Sequence, residues 1–204
     1  MEINADLVKK LRKKSSAGMM DCKKALVESK GDMARAEEIL KEKGLVKASK
    51  KASRAAKEGM IHSYIHPGSK VGVLLEVNCE TDFVARNEMF KNLVHDIALH
   101  IAALAPLYIS KEYVPKDVLD KERELYKKQA LNEGKPENIV EKIAEGKLKK
   151  YYEENCLLEQ LFVKDSDKNI GDLVKENIAK IGENIVIKRF VRYVVGQKDV
   201  GQEE

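Results

Sequence analysis

Tryptophan is absent from this chain of 204 residues, and aromatic residues make up only 5% of it. Cysteine is scarce as well: Cys22, Cys79 and Cys156 form an odd, widely spaced set without the spacing of metal ligands. In a reducing compartment we expect all of them to remain thiols, with a cross-link between two copies of the chain as the open alternative.

Long hydrophobic runs are also missing. The longest, near residues 97–106, is interrupted by His100 and is about half the length that a membrane-spanning helix needs. The first residues carry acids and lack the apolar core of an export signal. We therefore expect a cytoplasmic protein without a transmembrane segment.

Catalytic motifs are lacking too. The sequence contains no Gly-rich phosphate loop, HExxH helix, CxxC pair or GxSxG turn. The four histidines do not have metal-site spacing, and His95 and His100 are predicted to lie on different faces of one helix. We expect no catalytic residue, metal or cofactor, and thus no bond chemistry.

Charged and apolar residues dominate what is present. Hydrophobic residues make up 43% and charged residues 35%, with a net charge of +4 and a pI near 8.7. This composition predicts a well-hydrated, helix-rich protein with a real core. The charge is too small to indicate nucleic-acid binding by itself.

The first 45 residues contain three short amphipathic patterns, which predict a three-helix domain over residues 1–45. The apolar positions are Ile3, Leu7 and Leu11; Met19, Cys22 and Leu26; and Met33, Ala36 and Leu40. Residues 46–58 follow as a basic linker, predicted to be solvated and partly helical. Its positive charges could instead contact RNA phosphates, although no aromatic residue accompanies them for base stacking.

Residues 59–204 are predicted to form an α+β core with an antiparallel sheet. A Pro67-Gly68 turn predicts a β-hairpin, residues 71–77 a strand, residues 90–104 a helix and residues 184–195 a second long strand. Residues 157–163 are predicted to be extended, and residues 167–174 to begin a helix. A protruding antiparallel helical hairpin is expected at about 115–155, with an apolar stripe of Val118, Leu125, Ile139 and Ile143. The acidic tail, residues 199–204, is expected to fray.

Residues 78–87 read NCETDFVARN and stand where the strand passes into the helix. One interpretation is structural: Thr81 or Asp82 caps the helix and Phe83 belongs to the core. The other is functional, with the aromatic ring and its carboxylate neighbour presented to a partner.

The second interpretation is favoured by a resemblance. Together with residues 15–26, which read SSAGMMDCKKAL, this stretch resembles the signature of the elongation factor Ts family. The resemblance implies a guanine-nucleotide exchange factor that binds the translational GTPase elongation factor Tu. It implies that Asp82 and Phe83, flanked by Thr81 and Val84, are inserted into the GTPase domain, where they disturb the Mg²⁺ and phosphate site and release GDP.

The same resemblance implies further partner contacts at His66, Ile181, Gly182, Met19 and Met20. It also implies that the N-terminal bundle is of the ubiquitin-associated type and that two copies of so short a chain form a homodimer. Each contact has a structural alternative: core packing for at least one methionine, a helix C-cap for Gly182, and an exposed turn residue for His66.

Two features depart from the family pattern: Ser15-Ser16 replaces a Thr-Gly-like pair, and Lys164 follows Phe162-Val163. Two rival functions remain open. One is an RNA-binding accessory protein of the translation machinery. The other is a thiol enzyme using Cys79 or Cys22, which requires a lowered thiol pKa and a nearby base.

Overall fold

A computed structural model describes residues 4–15 and 17–197, without the side chains of Leu45 and Lys47. Ser16 of the first motif, Ile3 and the acidic tail, residues 199–204, lie outside the described residues. Within the described part the chain forms eight α-helices and five β-strands. They are α1 Ala5–Ser15, α2 Met19–Glu28, α3 Met33–Lys51, β1 Glu58–Ile65, β2 Val71–Cys79, α4 Asp82–Ala85, α5 Glu88–Leu104, α6 Lys116–Asn132, α7 Glu137–Asn155, β3 Leu161–Phe162, β4 Asp165–Asn169, α8 Ile170–Ile181 and β5 Ile185–Val194.

The strands form two small antiparallel sheets. One has the order β1-β2-β5, and the other pairs β3 with β4, placing Leu161 opposite Asn169 and Phe162 opposite Asp165. Helices come first in the chain and a sheet-containing core follows, which confirms the predicted α+β class. In the described part of the chain, no helix is both long and apolar enough to cross a membrane.

The chain divides into two compact units. The first comprises Met1–Ile61, Glu76–His95 and Leu173–Lys188, and the second comprises His62–Leu75, Asp96–Asp172 and Arg189–Glu204. The first unit contains the predicted three-helix bundle, α1 to α3, whose apolar faces enclose their own core. The core residues are Val8, Leu11, Cys22, Ala25, Leu26, Ala36 and Ile39.

Helix α3 is longer than the apolar pattern indicated. It begins at Met33 and continues to Lys51. Its N-cap is Asp32, whose carboxylate accepts hydrogen bonds from the backbone N–H groups of Ala34 and Arg35. Half of the predicted linker is therefore helical. The division at residues 45 and 58 stays a prediction, because the predicted boundary at residue 45 falls within this helix.

Most described residues of the basic segment are exposed, as predicted, but two of its cations contact the protein. The Lys51 ammonium donates a hydrogen bond to the Gly182 carbonyl, and the Arg54 guanidinium lies 3.6 Å from a carboxylate oxygen of Glu80. These contacts lie within the first unit. Two of the cations proposed for RNA binding thus have protein partners.

The second unit contains the predicted helical hairpin, α6 and α7. Its buried contacts come from Ala130, Val140, Ala144 and Leu148. Leu125 and Ile139, which the sequence assigned to the apolar stripe, are exposed. The other two residues of the predicted stripe, Val118 and Ile143, are half-buried, so the stripe is only partly as predicted.

One element was assigned wrongly from the sequence. Residues 167–169 were placed at a helix start, yet they belong to the polar strand β4, Asp165–Asn169. The helix starts at Ile170, three residues later than predicted, where Asn169 caps it: the Asn169 side-chain oxygen accepts from the backbone N–H of Asp172 at 2.7 Å. The extended segment predicted for residues 157–163 is likewise reduced to the two residues of β3.

Candidate partner-binding surface

The side chain of Phe83 is the most exposed large apolar group at the strand-to-helix junction, with 84% of its surface open to solvent. It lies on α4, a helix of four residues whose N-cap is Thr81. The Thr81 hydroxyl accepts a hydrogen bond from the Val84 N–H at 3.5 Å. The capping half of the structural interpretation is thus confirmed, and its other half, a core position for Phe83, is wrong.

Asp82 lies beside Phe83 and is paired within its own helix. One carboxylate oxygen of Asp82 lies 2.9 Å from the Arg86 guanidinium, one helical turn further along. The two side chains remain 48% and 80% exposed, so this pair contributes little to folding. Arg86 was not singled out from the sequence, although its spacing of four residues from Asp82 was a signal.

Glu183 joins this junction to the loop after α8. Its carboxylate accepts hydrogen bonds from the backbone N–H groups of Glu80 at 3.1 Å and Thr81 at 3.0 Å. It also accepts from the Thr81 hydroxyl at 2.7 Å. Sequence reasoning missed Glu183, because its partners lie more than 100 positions away and no local pattern reports such a pairing.

Ile181 and Gly182 therefore lie next to the residue that holds Thr81. Ile181 ends α8 and is half-buried, while Gly182 has a φ of 94° and donates its N–H to the Ile178 carbonyl at 2.9 Å. This left-handed conformation favours glycine after a helix, which confirms the predicted C-cap. The structure thus brings the segments of Thr81 and Gly182 together within the first unit.

Met19 and Met20 open α2 in the N-terminal bundle. Their side chains are 43% and 63% exposed, while the bundle core is filled by other residues. The expectation that at least one of them packs in the core is wrong. Two adjacent flexible apolar side chains at a surface suit an adaptable contact with another molecule.

His66 lies in the second unit, directly after β1. It is exposed, its N–H donates to the Val71 carbonyl at 2.9 Å, and its Nδ1 lies 3.1 Å from the Tyr64 hydroxyl. The predicted turn follows, with Gly68 at a φ of 91°. His66 is thus held at the tip of the β1–β2 hairpin as an accessible polar side chain.

The thiols do not have the properties of nucleophiles. Cys22, Cys79 and Cys156 are free thiols, as predicted, and all three are buried. Burial, assisted by the negative charge of Glu183, raises the pKa of Cys79 to about 11, the opposite of what a thiol enzyme requires. Among the described residues, no group of three or more His, Cys, Asp or Glu side chains is arranged to hold a metal ion.

Comparison with known proteins agrees with the two motifs. The family model described as "Elongation factor TS" matches residues 2–197. The chain belongs to the elongation factor Ts family. It is 58% identical over 197 residues to an elongation factor Ts of Moorella thermoacetica, covering 97% of each chain. It is 59% identical over 195 residues to one of Thermoanaerobacter sp. (strain X514), covering 96% of each.

A third relative, the elongation factor Ts of Coprothermobacter proteolyticus, is 58% identical and covered over its whole length. Membership of the elongation factor Ts family supports a role as a translation elongation factor. The candidate surface consists of the exposed ring of Phe83, the paired carboxylate of Asp82, and two backbone segments fixed to each other by Glu183.

Proposed function

We propose that this protein is a guanine-nucleotide exchange factor that binds elongation factor Tu and promotes release of its GDP. The observation that carries the proposal is the exposure of Phe83 on α4. Exposing a phenylalanine side chain to water is unfavourable in free energy, so an exposed ring on a capped turn suits a pocket on another protein. Asp82 and Phe83 would enter the GTPase domain near its Mg²⁺ and phosphate site.

The free energies involved are of matching size. Burying one phenylalanine side chain yields about 1.5 to 3 kcal/mol. Weakening a nucleotide site a hundredfold requires about 2.7 kcal/mol. One ring with a few supporting contacts is therefore sufficient to loosen GDP, provided that the factor binds nucleotide-free elongation factor Tu more tightly than the loaded form.

We assign supporting contacts to four places. Thr81 and Val84 flank the ring on α4, and Ile181 and Gly182 lie on the segment that Glu183 fixes to Thr81. Met19, Met20 and His66 are accessible as well. The family further suggests a cytoplasmic homodimer, which would carry two copies of the ring. No cofactor and no bond chemistry of its own are required for exchange.

The test is release of fluorescently labelled GDP from purified elongation factor Tu, followed by stopped-flow with and without this protein. We expect faster release that rises with the concentration of the factor. Because binding of nucleotide and of factor are thermodynamically linked, added GDP or GTP must also expel the factor from the complex. An unchanged release rate over a wide range of factor concentrations would reject the proposal.

The rival, an RNA-binding accessory protein, rests on the basic residues 46–58. It is weakened by the contacts of Lys51 with Gly182 and of Arg54 with Glu80, since these cations already have protein partners. Tight RNA binding in the absence of elongation factor Tu, falling steeply with added salt, would favour the rival.

A further inference from the structure

Two carboxylates form a reciprocal clamp between the start of the α4 turn and the loop after α8. Glu183 accepts from the backbone N–H groups of Glu80 and Thr81 and from the Thr81 hydroxyl. In return, the Glu80 carboxylate accepts from the backbone N–H of Asn184 at 2.7 Å. Each segment thus holds the other's main chain through charge-assisted hydrogen bonds, the stronger kind.

The clamp is itself anchored on both sides. The Asn184 amide donates to the carbonyls of Arg54 at 2.8 Å and Ala52 at 3.3 Å, and Asn184 is almost fully buried. On the other side, the buried Cys79 thiol donates to the Thr81 carbonyl at 3.1 Å. The hydrogen-bonded frame therefore reaches from β2 to the start of β5 inside one unit.

The frame stops two residues short of Phe83. A helix of only four residues cannot hold its own geometry, because nucleating a single turn fixes several dihedral angles for one hydrogen bond. Its N-cap, Thr81, is nevertheless fixed by Glu183, and the Thr81 hydroxyl also accepts from the Val84 N–H. The direction in which Phe83 projects is thus set through Thr81, which precedes the ring by two positions.

We infer that Glu183 is a positioning residue for nucleotide exchange: through the reciprocal clamp it holds α4 so that Phe83 is presented ready to dock. This inference rests on the proposed exchange function. A ring on an unclamped turn would have the orientation required for docking only part of the time. The apparent affinity for elongation factor Tu would then be the intrinsic affinity multiplied by that fraction. Preorganisation removes the ordering cost from the docking step.

The test uses the full chain with Glu183→Gln. Glutamine keeps the length of the side chain, but one carboxylate oxygen becomes an NH₂ group that cannot accept a hydrogen bond, and the negative charge that strengthens the remaining hydrogen bonds is lost. We expect kcat/KM for GDP release from elongation factor Tu to fall about tenfold. The matched control is Glu88→Gln, which removes an equally sized charge that is 79% exposed and pairs with Lys91. It should leave the rate unchanged.

To distinguish positioning of the ring from a purely structural role of Glu183, Glu183→Gln is repeated in a Phe83→Ala background. If Glu183 acts through the ring, its effect should largely disappear there, because mutations that act through one group are not additive. A tenfold loss in both backgrounds, or no loss in the wild-type background, would overturn the inference. Hydrogen exchange at the Glu80 and Thr81 amides of the free protein should accelerate in Glu183→Gln and stay unchanged in Glu88→Gln.

The two levels of the proposal can fail separately. If Phe83→Ala exchanges GDP as fast as the wild type, the proposed docking of the ring is wrong, whatever Glu183→Gln does. If Phe83→Ala releases GDP slowly, but a folded Glu183→Gln protein releases it as fast as the wild type, only the positioning role of Glu183 is wrong. Should Glu183→Gln fail to fold, Glu80→Gln tests the other half of the clamp with the same comparisons.

Discussion

Replacing Phe83 with alanine should separate folding from exchange more cleanly than any other single change in the protein. Complete burial of a phenylalanine is worth about 1.5 to 3 kcal/mol. Because 84% of the ring is already exposed, truncation removes only about a sixth of that amount from the folded chain, roughly 0.3 to 0.5 kcal/mol. The free energy of unfolding should therefore change by less than the usual effect of a core mutation.

The effect on exchange should be much larger. If the exposed part of the ring becomes buried in elongation factor Tu, truncation loses about 1.3 to 2.5 kcal/mol of binding at that step. This loss corresponds to a fall in kcat/KM of roughly 10- to 70-fold. The assay is stopped-flow release of labelled GDP, run beside urea unfolding of the same preparation.

Two control variants define the comparison. Tyr113→Ala removes another aromatic side chain that is 66% exposed, and should leave exchange unchanged while costing less unfolding free energy than a core substitution. Phe90→Ala removes a ring that is fully buried, and should cost about 3 to 5 kcal/mol of unfolding free energy. A folded Phe83→Ala protein that releases GDP at the wild-type rate would refute the role assigned to the ring.

Three further outcomes are expected. The double variant Met19→Ala, Met20→Ala should cost less unfolding free energy than a core substitution, since both side chains are largely exposed, but weaken binding to elongation factor Tu in a titration about tenfold. Burial lowers the pKa of His100, whose Nδ1 accepts from the Val163 N–H at 3.2 Å. A base with a lowered folded-state pKa binds fewer protons in the folded state than in the unfolded chain. The free energy of unfolding should therefore fall as the pH drops below 6.5, and urea titrations should show a flatter profile for His100→Gln. Gly59→Ala should destabilise the protein by more than 2 kcal/mol in thermal unfolding, because a Cβ there would lie 2.2 Å from the Val77 carbonyl oxygen and φ is 145°; a smaller loss would mean that β1 can shift.

Much of the fold was accessible from apolar periodicity. The alternation before residue 78 predicted β2, and the spacing of Phe90, Leu93 and Ile97 predicted α5, because both elements bury one face against the core. Strand β4 was not accessible, since its five residues are polar and it exists through pairing with β3. Tertiary pairing overrides weak local propensity in such short strands.

The candidate surface was predictable only in part. The motif and its position at the strand-to-helix junction were visible in the sequence, and the family resemblance drew attention to Phe83. The exposure of Met19 and Met20 could not be predicted, because burial depends on which residues of α1 and α3 fill the bundle. The reciprocal clamp was invisible for another reason: Glu183 and Thr81 are 102 positions apart, and neither lies in a periodic pattern that links them.

The burial of every thiol in the chain has a practical consequence for measuring these effects. Because Cys22, Cys79 and Cys156 are all inaccessible, a single cysteine introduced at the surface would be the sole thiol open to a maleimide dye in the folded protein. Lys135, in the exposed loop between α6 and α7, is a suitable position. A donor dye there and an acceptor on elongation factor Tu would report association in real time, without first removing the native cysteines.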